Sequence, residues 1–190
     1  MGEITVPGDK SISHRSIMLA SIAQGTSHVT GFLEGEDCLA TMNAFQQMGV
    51  QINRVNEGEL SIHGVGRAGL AQPSKTLDLG NSGTSMRLLT GLLAGQSIQT
   101  ELVGDGSLMK RPMRRVCDPL SLMAANVSTS EDGTPPVLIQ PVDQLQAISY
   151  ELPVASAQVK SAILLAGLYA QGTTTVIESK ITRDHTERML

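Results

Sequence analysis

Aromatic residues are nearly absent from this 190-residue chain, which has no Trp, two Phe and two Tyr. The core must therefore be aliphatic and rich in Met, and stacking platforms for single-stranded nucleic acid are disfavoured. A basic surplus is missing too: the net charge of -4 argues the same way. Cysteine is limited to Cys38 and Cys117, far apart and outside any CxxC pair, so the expectation is two buried thiols of a reducing cytosol rather than a disulfide. No apolar run reaches membrane length, and the opening MGEITVPGDK has neither the basic start nor the apolar stretch of a targeting segment. What is present is a globular composition, 41% hydrophobic, with enough apolar mass for a real core.

Three segments repeat one pattern, starting near Lys10, Asn81 and Ser156. Each opens with a polar stretch rich in Ser, Thr or Asn, enters an apolar helix-like run, and reaches a glycine (Gly25, Gly95, Gly172) suited to a left-handed helix end. A β-branched stretch follows each time: SHVTGFL, SIQTELV and TTTVIES. A second amphipathic helix comes next, DCLATMNAFQQMGV in the first copy and RPMRRVCDPLSLMAANV in the second, with Pro112 placed for a first helical turn. The first two copies close with strand pairs, VQINRV with ELSIHGV and NVSTS with PVLIQPV, across turns at Glu57-Gly58 and at Asp132-Gly133-Thr134-Pro135. Units this long predict a few packed α/β modules around an axis rather than a solenoid. The third copy ends at Leu190, inside what would be its second helix, so the pattern predicts a piece of a longer protein.

The polar starts carry the chemistry. In GDKSISHRS, a helix beginning near Ser11 would present backbone N–H groups and its positive dipole end beside Lys10, with Arg15 about one turn in. GNSGTSMRLL offers Asn81, Ser82, Thr84 and Arg87, with Gly80 and Gly83 permitting close approach of a ligand; ASAQVKS offers Ser156, Gln158 and Lys160. If the modules bring these starts together, they form a site for a multiply charged small anion; a solvated basic helix start is the plainer alternative. Lys110 and Arg111 suit a carboxylate or phosphate, or merely a solvated face with Arg114 and Arg115. In TRDHTER, Arg183 and His185 stand opposite Asp184 and Glu187, where local salt bridges are preferred over a metal, because residues two apart on a helix do not share a face.

Other matches carry less. GVGRAG has the GxGxxG spacing, but Leu70-Ala71-Gln72-Pro73 follows in place of the helix a dinucleotide site requires. No Walker A pattern occurs. Met86, Met109, Met113 and Met123 read as core filler, and His14, His28 and His63 show no sequence partners that would make them catalytic.

The ordered set GDKSISHR, GNSGTSMR, GDGSLMKRP, SAQVKS and TRDHTE resembles the 5-enolpyruvylshikimate-3-phosphate synthase family, in its class II form, over essentially the whole chain. The resemblance implies an α/β (α+β) fold of repeated βαβαββ modules around a pseudo-threefold axis, one domain of the two-domain enolpyruvyl transferase fold. On that reading residues 1–190 are an incomplete N-terminal, shikimate 3-phosphate-binding domain with modules at about 10–80, 81–155 and 156–190, the last cut short, and the C-terminal domain is absent. It implies a cytoplasmic transferase of aromatic amino-acid biosynthesis that moves the enolpyruvyl group of phosphoenolpyruvate to shikimate 3-phosphate with neither metal nor cofactor. The 190-residue chain alone is then expected to be inactive, since further cationic and basic groups would come from the missing domain.

By motif, the resemblance implies that Lys10 contacts both substrates and protonates the transferred methylene. Ser11 and Arg15 would hold shikimate 3-phosphate, with Ser156, Ala157, Gln158 and Arg183. Asn81, Gly83, Thr84 and Arg111 would bind phosphoenolpyruvate, with Lys10 and Gln158. Glyphosate competes with phosphoenolpyruvate in this family, and Gly83, where insensitive class II relatives can carry Ala, implies retained sensitivity. The related transferase acting on UDP-N-acetylglucosamine is disfavoured: Ser11 follows Lys10 where that family has Asn, and GDGSLMKRP lacks its Cys. A non-catalytic anion-binding domain is the alternative from another class.

Overall fold

The computed structural model describes residues 2, 4 and 6–190. The first stretch runs α1 (Lys10–Ile22), β1 (Gln24–Thr30), α2 (Glu36–Gln47), β2 (Gln51–Asn56) and β3 (Glu59–Val65). The second runs β4 (Leu77–Asp78), α3 (Gly83–Leu93), β5 (Thr100–Val103), α4 (Arg114–Leu122), β6 (Asn126–Ser128) and β7 (Val137–Gln140). The third holds β8 (Leu145–Gln146), β9 (Ser149–Glu151), α5 (Ala157–Gly167), β10 (Ala170–Gln171), β11 (Thr175–Ile177) and the short α6 (His185–Met189).

Both expected hairpins form. β2 and β3 are antiparallel, with a bulge between Arg54 and Asn56, and β1 joins β3 to give the order β1-β3-β2. In the second sheet, β4-β5-β7-β6, the β4–β5 pair is parallel and α3 crosses between them, while β6 and β7 are antiparallel. The third stretch differs: its strands pair in parallel with the segment before α5, β10 on β8 and β11 on β9. β8 and β9 are so short that no periodicity marks them in sequence.

Helix α3 lies at the centre, buried at every position except Thr84. It packs on α5, α1, α2 and α4 rather than offering one face to water, so its Met and Leu residues and also Ser85, Arg87 and Thr90 are buried. It meets α5 at Gly91, where a Cβ would lie 2.1 Å from the carbonyl oxygen of Ala162. The methionines behave as expected, Met86, Met113 and Met123 being fully buried and Met109 partly so. Cys38 and Cys117 are buried thiols, and burial raises their pKa values to about 11 and about 12.

Two expectations about helix ends are corrected. The helices stop short of the repeat glycines, at Ile22, Leu93 and Gly167. Gly25 and Gly172 do have positive φ, 86° and 99°, but Gly25 lies inside β1 and Gly172 after β10. Gly95 is not left-handed at all; it is small because a Cβ would lie 2.4 Å from Cγ of Tyr169. Pro112 is likewise outside the first turn of α4, whose N-cap is Met113. Arg111, preceding the proline, is extended at φ -84°, ψ 137°, as a residue before proline is disposed to be. The 3-10 turn over Leu108–Lys110 ends there, so Lys110 closes that turn and Arg111 caps it, and neither lies at the start of α4. Pro119 sits within α4 instead.

Candidate functional site

The starts of α1, α3 and α5 are each capped by a side chain: Asp9 accepts from the Ile12 amide at 2.8 Å, Ser82 from Ser85 at 3.2 Å and Ser156 from Val159 at 3.4 Å. These starts converge. A cavity of about 150 Å³ is lined by Lys10, Ser11, Arg15, Thr84, Ala157, Gln158, Arg183 and His185. The three separate polar starts of the sequence thus share one small volume, as the repeat suggested.

Gln158 ties two of the starts together. Its Nε2 donates to Thr84 Oγ1 at 3.0 Å, and its Oε1 accepts from Arg87 Nη1 at 2.8 Å. Arg87 is a buried guanidinium whose Nη1 also donates to the Gly83 carbonyl and whose Nε has no partner among the described residues. Burial, then the nearby Arg115 and Arg111, lowers its pKa to about 10. Arg15 is only 4% exposed; it donates from Nε to Thr186 Oγ1 at 2.7 Å, from Nη1 to the Ser11 carbonyl at 2.8 Å and from Nη2 to Ser161 Oγ at 2.9 Å. Its pKa is lowered by burial first and by Arg183 next, against Glu187 and Asp9. Among the described residues, neither buried arginine has a carboxylate at ion-pair distance. Buried cations left with neutral partners are costly unless an anion joins them.

Asn81, Gly83 and Arg111 sit beside this cavity rather than in its lining. Arg111 Nη2 donates to Asn81 Oδ1 at 2.5 Å, and Asn81 Nδ2 to Asp105 at 2.7 Å. A Cβ on Gly83 would lie 2.8 Å from a terminal nitrogen of both Arg111 and Arg87, so glycine here leaves room for two guanidinium groups. Ser156 lines a different, mostly apolar cleft of about 300 Å³ with Tyr150, Leu152, Pro153 and Val154. Lys160, grouped with the anion ligands in the sequence reading, is elsewhere: its ammonium meets Glu178 at 2.9 Å and Glu187 at 2.6 Å. The half-exposed Lys10 ammonium contacts Asp37 at 2.7 Å. Arg183 reaches Ser11 Oγ at 3.5 Å.

Sequence reasoning missed Asp37, Ser161 and Thr186, which hold Lys10 and Arg15; nothing in their local pattern marks them. It also left His14 without partners, whereas the structure buries it completely, its Nδ1 2.8 Å from Thr41 Oγ1 and 3.4 Å from Ser85 Oγ. Ser85 continues to Ser82 at 2.6 Å, so a chain of hydroxyls joins α1, α2 and the cap of α3. Burial lowers the His14 pKa to about 4, partly offset by Asp37. Between the ordinary histidine pKa of about 6.5 and about 4, the unfolded chain binds a proton that the folded chain refuses. Stability contributed by neutral His14 is therefore complete above that window and is lost as pH falls through it. The urea midpoint should decline more steeply from pH 7 to 4.5 in the wild type than in His14→Gln; parallel curves would contradict the assignment.

Among the described residues, no group of three or more His, Cys, Asp or Glu side chains could hold a metal ion, and no helix is long and apolar enough to cross a membrane. The family model described as EPSP synthase (3-phosphoshikimate 1-carboxyvinyltransferase) matches residues 1–190. The chain is 64% identical over 189 residues to the 3-phosphoshikimate 1-carboxyvinyltransferase of Hydrogenovibrio crunogenus, and 63% identical to that of Methylococcus capsulatus. It superposes on the solved structure of EPSP synthase from Acinetobacter baumannii with a TM-score of 0.97 at 61% identity. All of this chain is covered in each case, but only 42%, 43% and 43% of the respective partner.

Proposed function

We propose, from the premise that this chain belongs to the EPSP synthase family, that it supplies the shikimate 3-phosphate-binding half of a 3-phosphoshikimate 1-carboxyvinyltransferase. The observation that carries the reading is a cavity at three converging helix starts, lined by the buried Arg15 and by Gln158, to which the buried Arg87 is bonded, both arginines being held by neutral groups. In it, Arg15, Ser11, Arg183, Ala157 and Gln158 hold the phosphate, carboxylate and hydroxyls of shikimate 3-phosphate, with Ser156 shaping the start of α5. Arg111, Asn81, Gly83 and Thr84 hold phosphoenolpyruvate beside it, so the two anions lie on either side of the Gln158–Arg87 bridge. Three negatively charged groups are matched by preorganised cations and N–H donors.

In the reaction, the 5-hydroxyl oxygen of shikimate 3-phosphate gives up its proton to a base and bonds to C2 of phosphoenolpyruvate, while a proton adds to the methylene carbon. The resulting ketal loses phosphate as the new methyl returns a proton. Lys10, which lines the cavity and contacts Asp37 at 2.7 Å, is the residue that delivers the proton to the methylene carbon. Further cations and a base come from a second domain of the kind that the relatives' additional length would provide. On this reading residues 1–190 form an N-terminal domain of three modules, at about 10–80, 81–155 and 156–190, in a cytoplasmic enzyme.

Calorimetric titration of the chain with each substrate tests the proposal, using Gly83→Ala as the discriminating variant. Its added methyl would lie 2.8 Å from a terminal nitrogen of Arg87 and of Arg111, side-chain ends rather than backbone, so the fold should tolerate it. Phosphoenolpyruvate and glyphosate should bind roughly tenfold more weakly, about 1.4 kcal/mol, while shikimate 3-phosphate is little affected. No saturable binding of either substrate by folded wild-type chain would sink the reading of a preformed site.

A further inference from the structure

The segment from Glu178 to Glu187 follows β11 and carries Arg183 and His185 to the cavity and Thr186 to Arg15, which lines it. Arg183 makes one long contact of its own, to Ser11 at 3.5 Å, so its position depends on the backbone beneath it. That backbone is anchored at both ends by a single group. Lys160 Nζ, its side chain 5% exposed, contacts Glu178 at 2.9 Å and Glu187 at 2.6 Å. Glu178 also accepts from Thr182 Oγ1 at 2.7 Å, which closes the turn immediately before Arg183. One residue before Glu187, Thr186 is buried, accepts from Arg15 Nε at 2.7 Å and donates to Ser161 Oγ at 2.7 Å. Burial opposes the ammonium of Lys160, and the two glutamates overcome it, so its pKa is raised.

A buried lysine on a helix that otherwise packs through Val159, Ala162 and Ile163 is costly for stability alone, because an apolar side chain would fill the same space. Its two partners bracket the stretch of chain that brings Arg183 and Thr186 to the site. We propose that Lys160 is a positioning residue: clamped between Glu178 and Glu187, it fixes this strap so that Arg183, and Arg15 through Thr186, face the bound phosphate and carboxylate. The inference rests on the shikimate 3-phosphate reading of the cavity. It adds a residue that touches no substrate and governs two that do.

The test combines amide hydrogen exchange with titration by shikimate 3-phosphate, for the wild type, Lys160→Met and the milder Glu187→Gln, which removes one of the two anchors from a partly exposed position. Both variants should speed exchange within residues 178–187 while α1, α3 and their sheets stay protected. Both should also weaken shikimate 3-phosphate binding, by roughly tenfold or more for Lys160→Met, the loss expected when a bidentate guanidinium is displaced. If Lys160→Met fails to fold, Glu187→Gln decides between the outcomes on the same two readouts. Unchanged exchange in the strap would overturn the clamp, and faster exchange with unchanged affinity would overturn its link to the site. Should wild-type chain not bind shikimate 3-phosphate at all, the substrate reading fails, whereas the clamp still stands or falls on the exchange pattern.

Discussion

Arg15→Ala is expected to weaken shikimate 3-phosphate binding by about a hundredfold or more. A guanidinium has five N–H donors, and the three bonds to Thr186, Ser11 and Ser161 leave two of them for a ligand. Hydrogen bonds between charged partners are worth roughly 1.5–3 kcal/mol each, and here they form where the cation is buried and little screened. The variant should still fold, because the groups it abandons retain other partners: Ser161 Oγ bonds Thr186 at 2.7 Å and the Ala157 carbonyl at 2.6 Å. Arg15→Lys should not rescue binding, since an ammonium cannot hold the fork and reach the ligand together. Affinity within threefold of wild type in a folded Arg15→Ala chain would remove Arg15 from the site.

Gly91→Val is expected to destabilise the chain by about 3 kcal/mol or more, the upper end of what overpacking costs. The nearest atoms to a Cβ at Gly91 are the carbonyl oxygen, carbonyl carbon and Cα of Ala162, at 2.1, 2.7 and 2.7 Å, and backbone inside a helix cannot turn aside as a side chain can. Gly91→Ala sharpens the test by its sign. Helix propensity alone would make alanine stabilising by about 1 kcal/mol, whereas the contact requires α3 and α5 to separate. A lower urea midpoint for Gly91→Ala favours the packing argument; a higher one would show that the helices part at little cost. Any separation would also pull Thr84 from Gln158, now 3.0 Å apart, so substrate affinity should fall together with stability.

The repeat of polar start, apolar helix and β-branched strand was legible because each part is local: cap residues, periodicity and turn residues lie within a few positions of one another. So were the antiparallel hairpins and the basic residues of the motif set. The helix ends were not, and Gly95 shows why. Its small size answers the ring of Tyr169 rather than a left-handed turn, and that neighbour is distant in sequence. Pro112 falls one residue ahead of the N-cap Met113, whose N–H donates to the Gly133 carbonyl at 2.8 Å, a partner on another loop that no local pattern marks.

The same division separates the cations. From sequence alone, Lys10, Arg15 and Lys160 read alike as anion ligands at polar helix starts, and the family resemblance follows from the order of their motifs. Only the tertiary structure decides that Lys160 is neutralised by Glu178 and Glu187, while Arg15 is buried among hydroxyls contributed from 146 and 171 residues away. A charge free to recruit an anion differs from one already paired by what surrounds it, and those surroundings are built from segments that meet only when the chain folds.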